Sequence, residues 1–174
     1  MVCLIESDAI EHIILTFKRN LQSNCPDLYR HAALGMANLA LYSCFEGKKK
    51  IIQKKVPEWL FLLATQKDDI TRYYACLATC VLASVKEFES AINNTDTLKL
   101  VESCLQPQDE ATLTLGHGKY SQGRPTDWLK RLLPMLKSSC REARCIAAFH
   151  FTLEAKIKKE QHKLDVFEVN VNDK

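Results

Sequence analysis

A chain of 174 residues is long enough for one domain with a sizeable core. Hydrophobic residues make up 47% and charged residues 26%, which excludes a disordered chain, and only five glycines and five prolines favour long regular elements. The net charge of +3, from 24 Lys+Arg against 21 Asp+Glu, is too small an excess to indicate nucleic acid, and no stretch approaches the length of a transmembrane segment.

In chain order the dominant signal is helical periodicity. Asp8 suits the N-cap of a first helix whose Ile10, Ile13, Ile14 and Phe17 share a face. Gln22 to Asp27 reads as a turn broken by Pro26. A second helix, from about Leu28 to Ser43, is small and apolar almost all round, which predicts burial between other helices. A short basic helix is expected over Lys48 to Lys55, followed by one that Pro57 starts in the first position, PEWLFLLATQ. The polar turn Lys67–Asp69 leads into a long helix, ITRYYACLATCVLASVK. Further helices are predicted over Glu87 to Thr97 and Leu98 to Leu105, then in PTDWLKRLLPMLKS and REARCIAAFHFTLEAKIKKEQ. Between them, Gln106 to Gly123 is a polar, glycine-bearing insert; the tail 168–174 reads as frayed.

The long helices repeat. Aligned at His31, Tyr74 and Ala143, they read HAALGMANLAL, YACLATCVLAS and ARCIAAFHFTL. Ala33, Cys76 and Cys145 coincide, as do Leu34, Leu77 and Ile146, and then Gly35, Ala78 and Ala147. The first spacing is 43 residues, within the range of armadillo and HEAT units, and the second is 69, lengthened by the insert. The expected fold is therefore all-α, an armadillo/HEAT-like right-handed helical solenoid of about three to four repeats over residues 1–167, opening midway through a repeat. Small residues at Ala33, Gly35 and Ala37 let neighbouring helices approach closely, and each unit leaves an apolar face for the next. Asn38 falls where an inner helix lines the concave groove; a structural hydrogen bond to neighbouring backbone is the reading adopted for it.

No catalytic constellation assembles: Walker, GxGxxG, HExxH and GxSxG sequences are all missing. Cys76 and Cys80, four apart on one helix face, make half a metal site, but no further pair with zinc spacing follows, so core thiols are expected and no metal. With eight cysteines, mostly among Ala, Leu and Val, and no hydrophobic leader, the chain reads as a reducing, cytoplasmic protein with free thiols. His150, between Phe149 and Phe151, reads as a satisfied inner-face histidine, and Asp68 and Asp69 as residues suited to a helix start. The run GKKKIIQKK has the composition to meet an anionic partner or a membrane surface; the solvated outside of a short helix explains it as well and is preferred. SQGRPTDWL places Gly123 and Arg124 before a helix N-terminus, where an arginine beside free amides suits a phosphate.

The blocks RHAALGMANLALY, KKVPEWLFLLATQKDD, RYYACLATCVLAS, SQGRPTDWLKRLLPML and EARCIAAFHFTLEAKIKKEQ, in this order and spacing, resemble the armadillo region of the sterile-alpha and TIR motif-containing NAD hydrolases. The resemblance runs from about Pro26 to Phe167 and looks closest to invertebrate members. It implies a longer protein in which armadillo repeats precede two SAM domains that assemble a ring, and a C-terminal TIR domain that cleaves NAD. It implies that the armadillo region holds the TIR domains apart, with NAD and nicotinamide mononucleotide as competing allosteric ligands and no covalently bound cofactor. The implied setting is innate immune signalling and axon degeneration. The arginine of the SQGR motif, here Arg124 beside Gly123, is implied to reach the nucleotide phosphate. Where the family commonly adds a glycine and an aspartate, this chain has Pro125 and Trp128, with Asp127 close by. The implied partners are the SAM and TIR domains of the same protein. The chain itself is expected to hold no catalytic residue. A protein-binding armadillo scaffold is the alternative, but its regular asparagine ladder is missing, since the column reads Asn38, Val81 and His150.

Overall fold

The computed structural model describes residues 8–20, 25–105 and 126–160. Among them helix is the only regular element, so the chain is all-α, and the helices stack side by side as in a helical-repeat solenoid. The insert 106–123, with Gly123 and Arg124, and the tail 168–174 lie outside the described residues.

Helix α1 spans Ala9–Asn20 and α2 Pro26–Tyr42. The carbonyl of Asp8 accepts the His12 amide at 2.9 Å. Pro26 starts α2 rather than ending a turn, because its fixed φ suits a first helical position whose N–H would have no partner. Gly35 faces α1 so closely that a Cβ there would lie 3.3 Å from Ile13 Cδ1. Ala33 and Ala37 are fully buried, and the small side chains bring α2 along most of its length against α5 (Asp69–Ala83).

Between these two run α3 (Phe45–Gln53) and α4 (Val56–Ala64). Their junction is a single left-handed residue, Lys55, with φ 56°. Pro57 occupies the second position of α4, one later than expected. The all-round burial expected of α2 belongs instead to α5. Helix α2 keeps Leu34, Gly35, Asn38 and Leu39 half-exposed. Helix α5 is enclosed by α2, α4, α10 and the short segments after it, and every residue from Tyr73 to Ala83 is buried. A middle helix of a stack is covered on both sides, whereas an outer one is covered on one.

After α5 the elements are short: a 3-10 turn at Lys86–Phe88, α6 (Glu89–Asn93), another 3-10 turn at Thr97–Leu100, and α7 (Val101–Leu105). The single helix expected in PTDWLKRLLPMLKS is two, α8 (Thr126–Lys130) and α9 (Leu133–Leu136). Pro134 has no N–H to return to the preceding turn, and the backbone tightens to three-residue bonds from Arg131 to Trp128 and from Leu132 to Leu129. The last helix, α10 (Arg141–Glu160), buries Ala143, Ile146, Ala147, His150 and Glu154, one stripe at helical spacing. Cys145 lies off that stripe and is exposed, although its aligned partners Ala33 and Cys76 are buried.

The start of α5 is clamped to α2. Asp68 caps the helix by accepting from the Thr71 amide at 2.8 Å and the Thr71 hydroxyl at 2.7 Å, and it receives Arg30 Nε at 3.0 Å and Nη2 at 2.5 Å. Burial pushes the Asp68 carboxyl up, but the hydrogen bonds from Arg30 and Thr71 outweigh it and hold it below the ordinary carboxylate range. A depressed folded-state pKa stabilises the fold above the unfolded value, near pH 4, and that stabilisation fades as the pH falls through the folded value. Asp68→Ala is therefore expected to lower stability by about 2 kcal/mol at pH 7, from the lost cap and charged hydrogen bonds. Urea denaturation at pH 7 and pH 3 checks this: the gap between the two proteins should narrow at the lower pH.

Candidate functional site

The sequence singles out the segment around Arg124 and the concave face of the inner helices. The structure describes the helical side of that segment. Helix α8 carries Asp127 and Trp128, and their fates differ: Asp127 is exposed, while Trp128 is only 3% exposed. The Trp128 indole reaches back to α2, where its Nε1–H donates to Asn38 Oδ1 at 2.9 Å. Its ring lies 4.6 Å from the imidazole of His150 on α10, tilted by 43°. Helix α8 is thus clasped to both the first and the last of the aligned long helices. The partner of Asn38 is this indole and not neighbouring backbone.

His150 is fully buried at the centre of this knot. Its Nδ1 shares a hydrogen bond with the Tyr73 hydroxyl from α5, and the two rings stack with centroids 6.0 Å apart. Its Nε2 lies 3.4 Å from Oε1 of Glu154, one turn further along α10 and also fully buried. Phe149 packs on Tyr73 at 5.9 Å, and Tyr74 meets Tyr73 edge-on at 5.3 Å. Asn38, Tyr73, Trp128 and His150 therefore join α2, α5, α8 and α10 through polar contacts inside an aromatic cluster. With His150 walled in by rings, this arrangement fixes geometry and presents no accessible base. Sequence reading identified Asn38, Trp128 and His150 singly, whereas the role of Tyr73 carried no local signal.

The other candidate groups are dispersed. The neighbouring Cys104 thiol, and then burial, push the Cys76 thiol far up, so it stays protonated. Burial also raises the Cys80 thiol, and Cys140 contacts Glu142 Oε2 at 3.4 Å. Cys76, Cys80, Cys104 and Cys140 are buried free thiols, while Cys25, Cys44 and Cys145 are exposed. Among the described residues no group of three or more His, Cys, Asp or Glu side chains is arranged to hold a metal ion. In the basic run, Lys54 is ion-paired with Glu11 of α1, which holds the Glu11 carboxyl below its usual range. Lys18 stands 5.0 Å over the Trp59 ring. No described helix is long and apolar enough to cross a membrane.

Helices stacked side by side and joined by a buried polar knot define an all-α, solenoid-like protein. Comparison with known proteins gives its lineage. No protein-family model matches the chain. It is 65% identical over 166 residues to the NAD(+) hydrolase tir-1 of Caenorhabditis elegans, across 95% of this chain and 17% of that protein. It is 44% identical over 142 residues to the NAD(+) hydrolase sarm1 of Drosophila melanogaster, covering 81% of this chain and 10% of the relative. With the NAD(+) hydrolase SARM1 of Danio rerio it shares 37% identity over 147 residues, 82% of this chain and 21% of the other. The chain belongs to the family of these NAD(+) hydrolases and spans about a fifth or less of the length of the relatives it matches.

Proposed function

We propose that this chain is the later part of a regulatory armadillo region, with about three to four repeats over residues 1–167, and that it senses a nicotinamide nucleotide for an NAD hydrolase. The observation that carries this reading is the 65% identity across nearly the whole chain to a hydrolase of which it spans 17%. Catalysis belongs on this reading to another part of the longer protein, in the TIR domain, and this chain supplies no catalytic residue. NAD and nicotinamide mononucleotide compete for the pocket; one keeps the enzyme off and the other releases it, in the cytoplasm, in the service of innate immune signalling and axon degeneration. The SAM and TIR domains of the same ring-forming protein are the partners.

Arg124 and Gly123 hold the phosphate, and Asp127, exposed at the start of α8, follows Arg124 by three residues in the sequence. Trp128 contributes by anchoring: with its indole bound to Asn38 and stacked near His150, it ties the motif's helix to the repeat stack. Arg124→Ala is expected to weaken nucleotide binding by about 1.5–3 kcal/mol, the range for a charged hydrogen bond. Calorimetric titration of the variant against the parent chain measures this, and equal affinities would remove Arg124 from the role. Incubation of the parent chain with NAD should release no nicotinamide.

A further inference from the structure

Three ionisable side chains stand in a row inside the knot. Tyr73 on α5 is 1% exposed, and His150 and Glu154, one turn apart on α10, are fully buried. The imidazole meets the Tyr73 hydroxyl through Nδ1 and lies 3.4 Å from Glu154 Oε1 through Nε2. Helix α8 covers the imidazole with the uncharged Trp128 ring, while its Asp127 and Lys130 are exposed. Helix α9, LPML, has no ionisable residue. On α7, Glu102 is paired with Arg141 at the exposed start of α10, and the Cys104 thiol neighbours Cys76. On α5, Arg72 is paired with Asp69. A neutral imidazole beside a charged carboxylate, the ordinary forms at neutral pH, would leave this row with a net charge away from water, which is costly. One shared proton removes it, as imidazolium against carboxylate or as imidazole against carboxylic acid.

We propose that Tyr73, His150 and Glu154 form a pH-sensitive clasp between α5 and α10, in which the histidine and the glutamate of the folded chain share one proton. The sign of the effect follows from counting protons. Between about pH 4.5 and 6.5 the unfolded chain also carries one proton on this pair, on its histidine, and the clasp is at full strength. Above that window the unfolded histidine is neutral while the folded pair keeps its proton, so stability falls as the pH rises. Below it the unfolded glutamate takes a second proton that the folded pair has no place for, and stability falls again. The helices α5 and α10 are therefore held most tightly in mildly acidic solution and loosen on the alkaline side. The clasp does not depend on nucleotide sensing at Arg124.

Urea denaturation of the whole chain and of Glu154→Gln, each at pH 7 and pH 8, tests the clasp. Over that unit the parent's folding constant should fall about tenfold relative to the variant's, the slope of one proton taken up on folding. Glutamine is neutral without a proton, so Glu154→Gln lacks this uptake, and the contributions of the buried thiols are common to both proteins and cancel in the comparison. Equal pH dependence in the two proteins overturns the proposal. Tyr73→Phe keeps the pair and the ring but removes the bond from α5. It should lower the folding constant about fivefold at both pH values and leave the pH dependence in place; an unchanged folding constant would take α5 out of the clasp and overturn it. NMR of the isotope-labelled parent chain at pH 7.5 gives a reading that needs no variant. An imidazolium at His150 or a carboxylic acid at Glu154 supports the clasp, and a neutral imidazole beside a carboxylate overturns it.

Discussion

Trp128→Ala is expected to destabilise the chain by about 4 kcal/mol, near the middle of the range for removing a large buried aromatic side chain. For a chain of this size that corresponds to a fall in melting temperature of about 10 °C. The indole is 3% exposed, fills the space beside His150 and donates to Asn38 on a helix 90 residues away in sequence. Its loss opens a cavity where α2, α8 and α10 meet and cuts α8 from the stack. Trp128→Phe keeps most of the packing and loses only the N–H, so about 1 kcal/mol is expected, because the half-exposed Asn38 can turn to water. A thermal melt of both variants checks the pair. Equal small effects would mean that α8 is not held by this contact.

Leu77→Ala carries the second large expectation, a loss of about 3 kcal/mol. Leu77 is fully buried in the enclosed helix α5. Its equivalent in the first row, Leu34, is half-exposed on α2, and Leu34→Ala should cost about 1 kcal/mol. Urea denaturation of both measures the difference. The same repeat position then has two energies, because the stack covers α5 on two sides and α2 on one. Equal losses would contradict the middle-and-edge arrangement.

The helices were legible because their apolar residues recur with helical period. The stripe Ala143, Ile146, Ala147, His150 and Glu154 on α10 follows that period, and the capping role of Asp68 follows from its place before an apolar run. The misreadings have local causes. Pro26 reads as a breaker although a proline can equally open a helix, and Pro134 divides a segment whose apolar pattern runs on through it. Which helix is enclosed depends on neighbours, so the apolar α2 and the apolar α5 looked alike.

Of the site, sequence reading identified Trp128 as a neighbour of the motif and Asn38 and His150 as inner-face residues. It gave no means of joining them, since the indole–amide contact spans 90 residues and the Tyr73–His150 bond spans 77. A tertiary contact of this kind leaves no periodic trace.

The central claim, that this helical stack senses a nicotinamide nucleotide, is tested most directly by calorimetric titration of the folded chain with nicotinamide mononucleotide and, separately, with NAD. The account predicts saturable binding at one site, with each nucleotide displacing the other. A sample that is helical by circular dichroism and binds neither would contradict the claim and leave the chain as a surface for protein contacts.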